Sequence, residues 1–92
     1  MYLAITSQII SIGVTAIKLP TTPLIGRDYI IIQNVGTGTV YIGNSAVTAN
    51  TANTGGHQLL PSGEWVATYT DKVDIYGIVA AGSSQVVIEE GN

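Results

Sequence analysis

From Tyr29 to Gly43 the chain reads YIIIQNVGTGTVYIG, two runs of β-branched and aromatic residues joined by the glycine-rich link Val35–Thr39. Residues of this kind suit a pleated sheet. The same rhythm runs through the whole sequence. Ile, Val, Thr and Tyr gather in short runs, and Gly, Asn or Pro breaks each run before it grows long. No stretch of adequate length sets strong helix formers at the i, i+3, i+4, i+7 spacing of an amphipathic helix. Short strands with turn signals at intervals of about 8–12 residues predict an all-β fold, a small antiparallel β-sandwich of about seven or eight strands. A jelly roll and other sandwich topologies fit the pattern equally.

The pattern predicts one β-sandwich domain over residues 1–92, with residues 1–13 an N-terminal arm or strand suited to oligomer contact. The first strand region covers about Gln8–Leu19, with Ile10, Ile12, Val14 and Ala16 on one face and Gly13 at a bend. Pro20 and Pro23 lack backbone donors, so Pro20–Pro23 is a loop at a sheet edge or corner. Tyr29–Asn34 and Thr39–Gly43 read as a hairpin, Ile32 opposite Ile42 and Asn34 opposite Val40. Ile30, Ile32, Val40 and Ile42 then share the core face, and Tyr29, Ile31, Gln33 and Tyr41 share the other. That second face is too apolar for one meant for water, and Tyr29, Ile31 and Tyr41 are the expected interface residues. Asn44–Gly56 is a long polar loop anchored by Val47. Strands follow at His57–Leu60, Trp65–Thr70 (Trp65, Ala67 and Tyr69 on one side), Val73–Ala80 and Gln85–Glu89.

Composition narrows the function. Only 10% of residues are charged while 46% are hydrophobic, against about 25% charged in an average domain. Three basic residues, Lys18, Arg27 and Lys72, stand against six acidic ones. Three dispersed cations cannot make the phosphate-neutralising footprint of a nucleic-acid binder. There is no cysteine, hence no disulfide framework and no thiolate metal site. No run approaches the ~20 apolar residues of a membrane helix. The opening MYLAITSQIISIG lacks a basic leader region and reads as structure rather than as a signal peptide.

Catalysis needs convergent titratable groups, and the sequence does not gather them. His57 is the single histidine and reads as an exposed residue after the Gly55-Gly56 turn. Asp71 and Asp74 are too few for a calcium loop and, three apart on a strand, point oppositely. Glu89 and Glu90 are adjacent, so they cannot flank one glycosidic bond, and they read as a solvated tail. Gly36-Thr37-Gly38 has no Lys-Ser/Thr after it as a phosphate loop would, and reads as hairpin glycines with positive φ. The expectation is therefore a protein that is not an enzyme and takes no cofactor. Trp65, with Asn44 and Asn50 from the polar loop, forms the alternative candidate, a glycan or receptor contact.

One combination of motifs goes further. Leu24, Gly26-Arg27, Ile30–Asn34, Gly38 and Val40-Tyr41-Ile42-Gly43 precede Leu60-Pro61-Ser62-Gly63-Glu64 and Val73–Gly82. In this order, over roughly Leu19–Glu89, they resemble a family of small all-β domains in virion proteins of tailed bacteriophages. The resemblance implies a capsid decoration (cement) protein, a homotrimer seated on the major capsid protein at the virion surface and made in the cytoplasm of the host bacterium. It implies no catalytic residue, no membrane and no nucleic-acid partner.

Overall fold

The computed structural model describes residues 4–50 and 55–92. Eight strands run through them: β1 (Ile5–Ile12), β2 (Ile17–Lys18), β3 (Tyr29–Asn34), β4 (Val40–Gly43), β5 (His57–Leu59), β6 (Glu64–Ala67), β7 (Tyr76–Val79) and β8 (Ser84–Gly91). They form two four-stranded antiparallel sheets, ordered β1-β8-β3-β6 and β2-β7-β4-β5. That alternation of strands between two sheets is the order of an eight-stranded jelly roll.

The expected all-β sandwich is present, and its core lies between the sheets. Ile12, Leu19, Ile30, Ile32, Val40, Ile42, Leu59, Ile75, Val79, Val86 and Ile88 form one buried aliphatic cluster. β3, β4 and β8 each supply alternate residues to it, as the two-residue period of a strand requires, and Ile17 of β2 with Trp65 and Ala67 of β6 pack against it partly buried. In β8, for instance, Ser84, Val86, Ile88 and Glu90 are buried while Gln85, Val87 and Glu89 face outward. Trp65 packs against the edge of this cluster, and Tyr76 lies half-buried on the outer side of its sheet.

The β3–β4 hairpin is corrected. β3 pairs with β6 and β8, and β4 pairs with β5 and β7, so the two runs belong to opposite sheets. The link Val35–Thr39 is an arch across the sandwich. Ile30 and Ile32 therefore meet Val40 and Ile42 face to face through the core instead of side by side. Asn34 fixes the arch. Its amide Nδ2 donates to the carbonyls of Gly38 (2.7 Å) and Leu59 (2.9 Å), and its Oδ1 accepts from Gly36 N–H (3.0 Å) and Ser84 Oγ (2.9 Å). All four hydrogen-bonding positions of the buried amide are thereby filled. Gly36 is required for close approach, because a Cβ there would strike Ser84 Oγ and stand 2.7 Å from Gln85 N. Its φ is not positive; among the described glycines Gly26 and Gly82 hold that conformation.

Other boundaries move as well. The single strand expected over Gln8–Leu19 is two strands in different sheets, β1 and β2, and Val14 in the break is 60% exposed. The first begins at Ile5, inside the segment expected to be an arm or a strand, and is an integral part of its sheet. The strand expected over Trp65–Thr70 ends at Ala67, which leaves Tyr69 exposed beyond it. Val73 is likewise exposed, ahead of the buried Ile75, Gly77 and Val79. Val47 is buried, as expected of a loop anchor.

Glu90 is the largest departure. Expected in a solvated tail, it points into the sandwich and forms a buried ion pair with Arg27 (Nη1–Oε2 2.7 Å, each about 1% exposed). The rest of the guanidinium is also used, Nε donating to the Tyr69 carbonyl and Nη2 to that of Val73, both at 2.9 Å. Glu90 Oε1 accepts from Leu24 N–H. Arg27 thus ties the loop before β3, the loop after β6 and the last strand together at one end of the sandwich.

Candidate functional site

Two surfaces stand out. The first is the outer face of the β1-β8-β3-β6 sheet. Register places Ile9 opposite Val87, Ile31 opposite Val66, and both Ile5 and Tyr29 opposite Gly91. The result is an aliphatic face on the side away from the core, in which Ile5 and Ile9 are 70% exposed and Val66 58%. Ser7, Ser11, Gln33, Gln85, Glu64 and Glu89 are its polar members. A sandwich needs one apolar face per sheet to fold; this sheet also sets Ile5, Ile9, Tyr29, Ile31, Val66 and Val87 among the polar residues of its outer face.

Tyr29 is braced within that face. Its ring covers Gly91, where a Cβ would collide with it, and its hydroxyl donates to Glu89 Oε2 at 3.0 Å. The hydrogen bond to the Glu89 carboxylate, together with partial burial, holds the phenol's pKa above its usual 10.0. The grouping of Tyr29, Ile31 and Tyr41 in one interface is corrected by the arch. Tyr29 and Ile31 lie on this outer face, whereas Tyr41, opposite Gln58 and Ile78, lies on the outer face of the other sheet.

The second surface is a cleft of about 410 Å³ at one end of the sandwich. Trp65 and Tyr69 form one wall, their rings edge to face at 6.0 Å and 61°. His57, Asn44, Val73 and Asp74 complete the rim. Arg27 sets the wall by holding the carbonyls of Tyr69 and Val73. Asn44 Oδ1 accepts from Ala46 N–H (2.9 Å), which fixes the start of the polar loop. Of the glycan candidates, the fold brings Trp65 and Asn44 into this one cleft, while Asn50, exposed on the loop, is not part of its lining. His57 sits exposed on β5, as expected.

Two other carboxylates have local work. Asp71 accepts from Gly26 N–H (3.1 Å), and Asp74 pairs with Lys18 at 3.4 Å on the surface.

Sequence reasoning missed β1 as a complete strand and missed Tyr69 and His57 as cleft residues. The signal for β1 was present in ITSQIISI, an alternating run without charge or proline. The cleft has no local signal, since its walls come from opposite sheets. Against known family models, curated proteins and solved structures the chain finds no match.

Proposed function

We propose that this chain is a non-catalytic structural protein whose work is to bind other protein surfaces, and that it decorates a bacteriophage capsid. The observation that carries the reading is the second apolar face, on the outside of the β1-β8-β3-β6 sheet. Burial of aliphatic surface is worth roughly 25 cal/mol per Å², and side chains such as Ile5, Ile9, Ile31 and Val66 gain it only when something covers them. Exposed apolar side chains gathered on one sheet face mark a protein interface; here Ile9 and Val87 form one pair and Ile31 and Val66 another, with Glu89 between them. The low charge of the chain suits close packing on a large static partner. The motif resemblance supplies the identity of that partner, the major capsid protein, and the place, the virion surface. Jelly rolls recur among viral capsid proteins, which is an analogy of fold alone.

Virions purified from the producing host test this reading. Mass spectrometry of the particles is expected to find the chain in stoichiometric proportion to the shell protein. Its absence from particles, with the chain abundant in the lysate, overturns the assignment.

The cleft favours a second reading, a glycan-binding module. The Trp65 and Tyr69 rings, set edge to face, offer an apolar wall, and Asn44, His57 and Asp74 offer hydrogen bonds at its rim, the combination that orients a small hydroxylated ring. Saturation-transfer NMR against a panel of oligosaccharides tests it. A signal lost in Tyr69→Ala, an exposed site, supports it; no signal with any sugar removes it.

A further inference from the structure

The four sheet edges formed by the described residues are unequal. β2 is two residues long, ends in Lys18 and leads straight to Leu19-Pro20. β5 is three residues long and precedes Pro61 by two positions. β6 has four residues, begins with Glu64 and follows the Pro61–Gly63 turn. Short length, charge and proline are the devices that keep an edge from pairing with another chain. β1 has none of them: it runs for eight residues, ITSQIISI, without a charge or a proline.

Its backbone is presented for pairing. Asn92 N–H donates to the Ala4 carbonyl, so the even-numbered residues of β1 make the hydrogen-bonded pairs with β8. In an antiparallel ladder the N–H and C=O of one residue point the same way and neighbours alternate. The peptide groups of Ile5, Ser7, Ile9 and Ser11 therefore all point to the open edge.

We propose that two copies of this chain pair through β1, antiparallel about a two-fold axis at Gln8, joining their sheets into one of twice the width. The occupant is a second copy because, among the described strands, β1 is the one full-length edge, and only its own equivalent matches it in length. In the register centred on Gln8, Ile5 faces Ser11 of the partner subunit and Ser7 faces Ile9 of the partner subunit. The four outward peptide groups of each strand then form about eight hydrogen bonds. Large and small side chains alternate across the seam on the outer face.

Charge does not oppose the pairing. The nearest carboxylate on that face is Glu89, one strand in, opposite Ser7. Two such carboxylates stand three strand spacings apart, about 14 Å, beyond the ~8 Å Debye length of physiological salt. The seam also makes the two outer apolar faces continuous. The association is a property of the free chain and does not depend on a shell.

The test is native mass spectrometry and equilibrium sedimentation of the full chain at micromolar concentration, with three variants. The wild type is expected at twice the 9.6 kDa chain mass. Ile9→Lys, at an exposed position of the edge, is expected to run as a folded monomer, its dissociation constant raised by about tenfold or more. Val66→Lys, on the far edge of the same sheet, is expected to remain a dimer. Gln8→Cys, in a chain with no other cysteine, is expected to form a disulfide-linked dimer under mild oxidation, because the two β-carbons meet at the axis. A wild-type monomer or trimer overturns the proposal, as does a dimer that persists in Ile9→Lys or that Gln8→Cys fails to cross-link.

Discussion

Arg27 and Glu90 show how much one buried residue pair can organise. A buried ion pair gains little over well-packed apolar residues, yet removing one member leaves the other charged in a dry site. Arg27→Met is expected to cost about 3–5 kcal/mol in urea unfolding. The double variant Arg27→Met/Glu90→Leu is expected to recover most of that. If both cost the same, the loss comes from the carbonyls of Tyr69 and Val73 rather than from the stranded carboxylate. Asn34 has a comparable role without charge. Asn34→Leu leaves the carbonyls of Gly38 and Leu59 without their donor, at about 1–3 kcal/mol for each buried group left unsatisfied. Tyr29 sets a pH dependence. Its neutral form donates to Glu89, so its pKa is raised in the folded chain, and the stability it contributes is full below the usual 10.0 and is lost as pH rises through the raised value. Unfolding curves of wild type and Tyr29→Phe taken from neutral pH upward are expected to differ in slope only above that point. Parallel curves would dissociate Tyr29 from the alkaline loss.

Among the elements, the β3–β4 link divides what a sequence displays from what it conceals. Alternation in Tyr29–Asn34 and Val40–Gly43 identifies which residues are buried, and Ile30, Ile32, Val40 and Ile42 are indeed the inward set. It says nothing about which strand lies alongside, because a hairpin and an arch can bury the same alternate residues. The glycines of the link were equally ambiguous, since Gly36 serves a close approach to Ser84 and not a positive φ. Gly36→Ala is accordingly expected to destabilise the fold by more than the conformational preference of alanine could offset, with the shift read by thermal unfolding. Jelly-roll connectivity makes such errors systematic: β4 and β5 are the one consecutive pair of described strands that lie side by side. Glu90 was misread for a related reason. Two adjacent acids near Gly91-Asn92 look solvated in sequence, and the partner of the inward one lies 63 positions away.

At the level of the whole molecule, one sheet carries aliphatic side chains on both its faces, which fits the high apolar and low charged content of the chain. One face meets the other sheet and completes the core. The other is available for assembly, and the long uncharged β1 edge borders it. Val66 and Ile9 divide that surface functionally: Val66 lies on the outer face far from the seam, whereas Ile9 lies at the seam. A charge at Val66 is therefore expected to disrupt attachment to a shell while leaving pairing between copies intact. The proposed capsid decoration is tested most directly by co-sedimentation of the purified chain with undecorated bacteriophage capsids from the producing host, wild type against Val66→Glu. The structural reading predicts that the wild type pellets with the capsids and that the folded variant stays in the supernatant. Equal binding by both, or by neither, would contradict it.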